Sequence, residues 1–192
     1  MLNLDIALYY LNIDKEKYCN SEDSKKLASE LIDNPKFQVW SGSSKKEQHH
    51  YGRSGLIIHT AEVVSLCFSS ISVIDVEIDK EELFLSALYH DAGKLYDYSP
   101  IDGTNYREWE GAEHKRLIHH ISRSALIWSD EVRKYPELER KHRDNVLHNI
   151  LSHHGRREWG SPVAPKSKAA WILHLNDCLS ARLNDCDKLD VF

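Results

Sequence analysis

Twelve of the 192 residues are histidine, the side chain best suited to binding metal and moving protons near neutral pH. They fall at 49–50, 59, 90, 114, 119–120, 142, 148, 153–154 and 174. The most telling is His90, because Asp91 follows it directly. Ahead of the pair stand Leu83, Phe84, Ala87 and Leu88, spaced like the apolar face of a helix, and behind it Ala92, Gly93 and Lys94. Burying a carboxylate on such a face is costly unless something compensates it. The pair therefore points to a metal ion, a partner cation or a hydrogen-bond network. Lys94 shares one helical surface with both residues, where its ammonium can serve a substrate phosphate.

Other acidic and imidazole groups recur on apolar faces. His59 stacks with Val63 and Leu66 beside the stripe of Leu56, Thr60, Val64 and Cys67. In a helix over Ala112–Ser129, His120 groups with Leu117, Ser124 and Ile127 and faces in, whereas His119 groups with Lys115, Arg116 and Arg123 and faces out. His153 and His154 end a stripe of Val146, Leu147, Ile150 and Leu151, and Asp177 interrupts the apolar run WILHLNDCLSARL. Singly, each has a structural alternative: a core imidazole bonded to a carbonyl, or a cation at a helix C-terminus. Jointly, five helices deliver His59, His90 with Asp91, His120, His153 with His154, and Asp177. Seven ligands exceed the needs of one ion and suit two adjacent divalent ions, with Asp91 as the natural bridge. Nitrogen and carboxylate donors without thiolate favour manganese or iron, admit cobalt, nickel or zinc, and suit an all-magnesium site less well.

The elements that must position these groups read as helices: 2–12, Ser21–Ile32, Gly55–Ser72, 80–95, Ala112–Ser129, Pro136–His154 and Lys168–Leu183. Nothing alternates long enough to make a sheet, so the fold class is all-α, with any strand short and peripheral. Residues 96–111 read as an irregular loop whose Gly, Pro and aromatic content suits a lid, and Arg156–Lys168 as a basic loop. Hydrophobic residues make up 41% and charged residues 29%, the balance of one domain with a real core. The net charge of -5 argues against a broad grip on nucleic acid and leaves room only for a local basic groove. Cys19, Cys67, Cys178 and Cys186 lack CxxC spacing and read as free thiols in a reducing compartment. No apolar run of membrane-spanning length and no basic secretory start are evident, so the expected location is the cytoplasm, without a membrane partner.

The order H…HD…H…HH…D resembles the HD-domain metal-dependent phosphohydrolases, and most closely the HD domain of YhaM-type 3'-5' exoribonucleases. The likeness is carried by HHYGRSGLIIHT (49–60), LYHDAGKL (88–95), LIHHIS (117–122), LSHHG with GSP (151–162) and ILHLNDCLSARL (172–183). It implies an HD domain over 35–192, with 1–34 as a helical extension packed on its core. It also implies that His59, His90, Asp91 and Asp177 hold one metal, that His120, His153 and His154 with Asp91 hold the second, and that Lys94 contacts the scissile phosphate. Arg53, Arg156 and Arg157 are the further candidates for contact with an anionic substrate. The implied activity is hydrolysis of phosphodiesters by a metal-activated water, with Asp91 and Lys94 as the catalytic pair and single-stranded RNA or short oligonucleotides as substrate. YhaM-type enzymes carry an oligonucleotide-binding β-barrel ahead of the HD domain, which the first 45 residues here are too few and too helical to supply. Free or cyclic (di)nucleotides are therefore the alternative substrates, and a non-catalytic regulatory HD module is the second alternative. Oligomerisation is left open.

Overall fold

The computed structural model describes residues 2–186, so the last residues of the expected 35–192 unit, 187–192, lie outside the described residues. The architecture is all-α, as the hydrophobic periodicity requires. Helix α1 (Leu4–Tyr18) runs one and a half turns further than its apolar pattern suggests, and α2 (Glu22–Ile32) is closed at its start by a reciprocal Ser21–Ser24 capping box. Asn34-Pro35 ends α2 and also begins the short α3 (Pro35–Val39), with Asn34 capping and Pro35 in the first turn. Both α1 and α2 lie against later helices and share the same buried cluster, to which Ala7, Leu11, Leu27 and Ile32 contribute.

The centre of the bundle is α4 (Gly55–Ile74), buried along Leu56, Val63, Val64 and Cys67. By length and composition alone this helix could cross a membrane, which qualifies the sequence reading. Here it is a core helix, contacted by α1, by α5 (Lys80–Tyr89) and by α10 (Lys168–Cys186). Asp79 caps α5 by accepting from the backbone N–H groups of Glu81 and Glu82.

The expected 80–95 helix stops at Tyr89. His90–Gly93 form a turn, and α6 (Lys94–Asp97) starts afresh, so His90, Asp91 and Lys94 meet through a turn and not along one helical surface. Residues 98–111 are not simply an irregular loop: β1 (Tyr98–Pro100) and β2 (Trp109–Gly111) pair antiparallel, with Trp109 buried against Trp40. The expected Ala112–Ser129 helix is broken into α7 (Glu113–Leu117) and α8 (His120–Val132). The break falls at His119, whose φ of 70° lies in the left-handed region. Helix α9 (Pro136–Ser152) packs on α8 and α5.

Two glycines are required by close approach. A Cβ on Gly93 would lie 2.1 Å from the His120 carbonyl oxygen, so only glycine lets the start of α8 come against the His90–Gly93 turn. Gly155, at φ +80°, would place a Cβ 2.3 Å from the ring of His174. Cys19 and Cys67 are buried free thiols and Cys178 is a half-buried one; the side chain of Cys186 lies outside the described part.

Candidate metal centre

The seven groups singled out in the sequence converge. Asp91 sits among them, buried, with its two carboxylate oxygens facing different sets. Oδ2 lies 3.3 Å from both His59 Nε2 and His90 Nε2 and 2.7 Å from Lys94 Nζ. Oδ1 lies 3.4 Å from His120 Nε2 and 3.7 Å from His153 Nε2. Asp177 Oδ1 approaches His59 Nε2 at 3.0 Å and His90 Nε2 at 3.7 Å. Among the described residues three groupings of donor atoms result: His59, His90, Asp91 and Asp177; His120, His153 and His154; and Asp97, His119 and His120, which lies behind the second.

Each imidazole is oriented from behind. His90 Nδ1 donates to the Ala87 carbonyl at 2.8 Å, His153 Nδ1 to that of Ile150 at 2.6 Å, and His154 Nδ1 to that of Trp159 at 2.7 Å. His59 Nδ1 faces Ser180 Oγ at 3.1 Å; because that hydroxyl donates to Glu62 Oε2 at 2.8 Å, it accepts from His59. His120 Nδ1 meets Asp97 Oδ2 at 3.1 Å, and the same oxygen accepts from the His120 backbone N–H at 3.0 Å. All five rings thus carry their proton on Nδ1 in the neutral state and turn an Nε2 lone pair inward, as metal-ligating histidines do.

With the rings neutral, these inward nitrogens do not satisfy one another. His90 Nε2 and His59 Nε2 stand 3.4 Å apart, as do His120 Nε2 and His154 Nε2, acceptor against acceptor. Asp91 Oδ1 and His153 Nε2 are buried without a hydrogen-bond partner. Orphaned buried acceptors of this kind are costly in a folded protein and fit a divalent cation held between them.

The electrostatics agree. Burial disfavours ionised Asp91, but Lys94 and the surrounding imidazoles outweigh it and hold the carboxyl well below its usual range. Burial is likewise overcome at Asp177, chiefly by His59, and at Lys94, whose ammonium is held above its usual range by Asp91. Burial pushes His120 down to about 3 and His154 to about 4, keeping both neutral as ligands must be. At His59 the Asp177 and Asp91 carboxylates overcome burial and raise the ring to about 9; His153 is raised by Asp91 in the same way. A proton on these rings stands where a metal would neutralise the carboxylates instead.

A cavity of about 320 Å³ opens onto the cluster. Asp91, Lys94, His120, His153, His154 and Asp177 line it, together with Lys115, His119, Trp159 and Arg182. The expected outward placement of His119 is corrected: the chain break at φ 70° turns its ring onto the cavity wall, 4.1 Å from the ring of His120. Arg53, Arg156 and Arg157 are exposed and do not line the cavity. Arg53 lies over the ring of Tyr106 at 5.7 Å and Arg156 over that of Trp159 at 5.0 Å. Sequence reasoning missed Asp97, which also accepts from His114 Nδ1 at 2.7 Å, while Arg123 Nε donates to His114 Nε2 at 3.0 Å. It also missed the Ser180–Glu62 pair behind His59. Its only available signal for Asp97 was an acidic residue at the start of a polar loop.

A helical bundle closing around paired imidazole and carboxylate groups defines a class, and residues 56–182 match the HD domain family. The chain belongs to that family. Among curated proteins it is similar to the 3'-5' exoribonuclease YhaM of Bacillus licheniformis, at 35% identity over 167 residues. The alignment takes in 85% of this chain and 48% of that protein, so the chain spans about half the length of this relative. No solved structure matches.

Proposed function

We propose that this chain is a two-metal phosphodiesterase acting on the 3' end of single-stranded RNA or short oligonucleotides. The observation that carries the reading is the orientation of four Nε2 atoms around both oxygens of Asp91, with His154 Nε2 beside that of His120 and each of the five rings held from behind through Nδ1. His59, His90, Asp91 and Asp177 would hold one divalent ion; His120, His153 and His154, with Asp91 shared, would hold the other. Manganese or iron best suits this donor set. Bound divalent ions supply Lewis acidity, which acidifies water and neutralises charge on phosphoryl oxygens.

The protein's own groups do the rest. Lys94, buried and paired with Asp91, presents a fixed positive charge at the cavity wall, where it stabilises the charge that develops on the phosphoryl oxygens. Asp97 and Ser180 hold the His120 and His59 rings in the ligating tautomer. Lys115 and Arg182 offer cations to substrate phosphates from the cavity lining, and the exposed Arg53, Arg156 and Arg157 offer theirs from outside it. The HD unit of 35–192 works with 1–34 seated on it, in the cytoplasm where an RNA substrate is found. Similarity to a 3'-5' exoribonuclease supports RNA as the substrate class. The net charge of -5 favours a second reading, hydrolysis of free or cyclic nucleotides.

Manganese-loaded protein offered single-stranded RNA, single-stranded DNA, cyclic dinucleotides and nucleoside monophosphates separates the two. Ladders shortening from the 3' end of RNA are expected. Release from small nucleotides alone supports the second reading, and inactivity toward all four, matched by Asp91→Ala, refutes both.

A further inference from the structure

Two exposed aromatic side chains, one lining the cavity and the other against the cavity residue His174, are left unused by the metal chemistry. Of the five tryptophans, Trp40, Trp109 and Trp128 are core residues, 8%, 3% and 0% exposed, whereas Trp159 and Trp171 are 48% and 50% exposed. Indole is the largest apolar side chain, and leaving two half in water forgoes burial that the fold obtains from the other three. The exposed pair flanks the ring of His174, with centroids 6.3 and 6.0 Å from it. That ring is itself fixed, by a hydrogen bond from Nδ1 to the His153 carbonyl at 2.8 Å and by its fit against Gly155.

Trp159 is tied to the reactive centre more directly still. Its ring lines the cavity while its own carbonyl orients His154. Cations accompany it: the Arg156 guanidinium 5.0 Å over the indole, Arg157 exposed beside it, and Arg182 on the cavity lining. Exposed π-faces interleaved with arginines, continuous with a site for phosphoryl chemistry, match what a single strand needs. Its bases stack on any aromatic face and its phosphates pair with guanidinium.

We infer that Trp159, and beyond His174 Trp171, stack the bases of a single-stranded nucleic acid and lead its 3' end into the cavity. The inference rests on the phosphodiesterase reading for the direction of the strand. It assigns Arg156 and Arg157 to the track outside the cavity. The competing occupant is a second copy of this chain, because Trp171 also heads an exposed apolar stripe with Leu175, Leu179 and Leu183 on α10. Continuity of Trp159 with the cavity and the local excess of Arg156, Arg157 and Arg182 over Glu158 favour the nucleic acid.

The test titrates metal-loaded protein with labelled, phosphorothioate-linked oligoadenylates of increasing length, which resist cleavage, and reads anisotropy beside metal content and solution mass. Trp159→Ala should weaken binding roughly tenfold or more at every length, and Trp171→Ala only for the longer strands. Trp159→Phe and Trp171→Phe should restore most of the affinity, with metal content unchanged throughout. Equal affinity in wild type and both alanine variants overturns the inference. So does a metal-replete wild type that cleaves small nucleotides but binds no oligonucleotide. Loss of self-association in Trp171→Ala with RNA affinity intact assigns the face to a second copy instead. Failure of the wild type to take up metal counts against the hydrolase reading, and binding then judges the track by itself.

Discussion

Two buried clusters in this bundle are built from the same residue types and are wired in opposite senses. In one, Glu81 collects donors: Oε1 accepts from the Asn20 backbone N–H at 2.6 Å, and Oε2 from Lys141 Nζ and His142 Nε2, each at 2.9 Å. That carboxylate is saturated, and it ties the α1–α2 turn to α5 and α9. In the other, Asp91 and Asp177 sit among five imidazoles whose Nδ1 protons are spent on groups behind them, so acceptors face acceptors. Burial of a histidine says nothing about which kind of cluster it joins. What distinguishes them is which ring nitrogen looks inward and whether the opposing atom is already satisfied.

The contrast is best broken at its centres. Asp91→Ala should remove the shared carboxylate, reduce bound metal to below one ion per chain and lower phosphodiesterase turnover by at least ~10³-fold, measured by metal analysis and steady-state kinetics on one preparation. The paired variants His120→Ala and His142→Ala come next. His120→Ala should lose one ion with little change in the melting temperature of the metal-free protein. His142→Ala should keep both ions yet lose about 1–3 kcal/mol of stability, because Glu81 forfeits a buried donor. If both variants fail in the same way, the distinction between the clusters is wrong.

A smaller effect is expected from Asp97→Asn, which keeps the size of the side chain but weakens its hold on Nδ1 of His120. Titration with manganese should show one ion bound about 10–100-fold more weakly and the other unaffected. The smallest concerns acid. Burial raises the Glu81 carboxyl, but its hydrogen bonds outweigh burial and bring it from 4.5 to about 2. The folded value lies below the unfolded one, so its stabilisation is complete above about pH 4.5 and lost as the pH falls from there towards 2. Thermal melts across that window should fall less steeply for Glu81→Gln than for wild type.

Much of this arrangement was legible in the amino-acid order, and the rest failed for identifiable reasons. Periodicity placed His59, His120 and Asp177 beside apolar stripes because the helices that carry them are long and amphipathic. It went astray where a helix was assumed to continue. Gly93 lets α8 approach the His90–Gly93 turn, and the left-handed residue at His119 breaks the 112–129 segment, so helical phase could not say that His119 reaches the cavity. Asp97, Glu62 and Ser180 were invisible for another reason. Asp97 and Ser180 act on histidines 23 and 121 residues away, and Glu62 reaches His59 only through that serine; no local pattern encodes these contacts, and only the fold brings them together. Lys94 was legible through its place after the His-Asp pair; of the other basic residues Arg53, Arg156 and Arg157 stood out by type, yet the further cations lining the cavity are Lys115 and Arg182, which charge alone could not single out.

Elemental analysis of the purified protein after manganese loading decides whether the inward-facing imidazoles and carboxylates form a binuclear centre. About two divalent ions per chain are expected in the wild type, and about one in His120→Ala. A wild-type protein that keeps its fold and retains no ion contradicts the account.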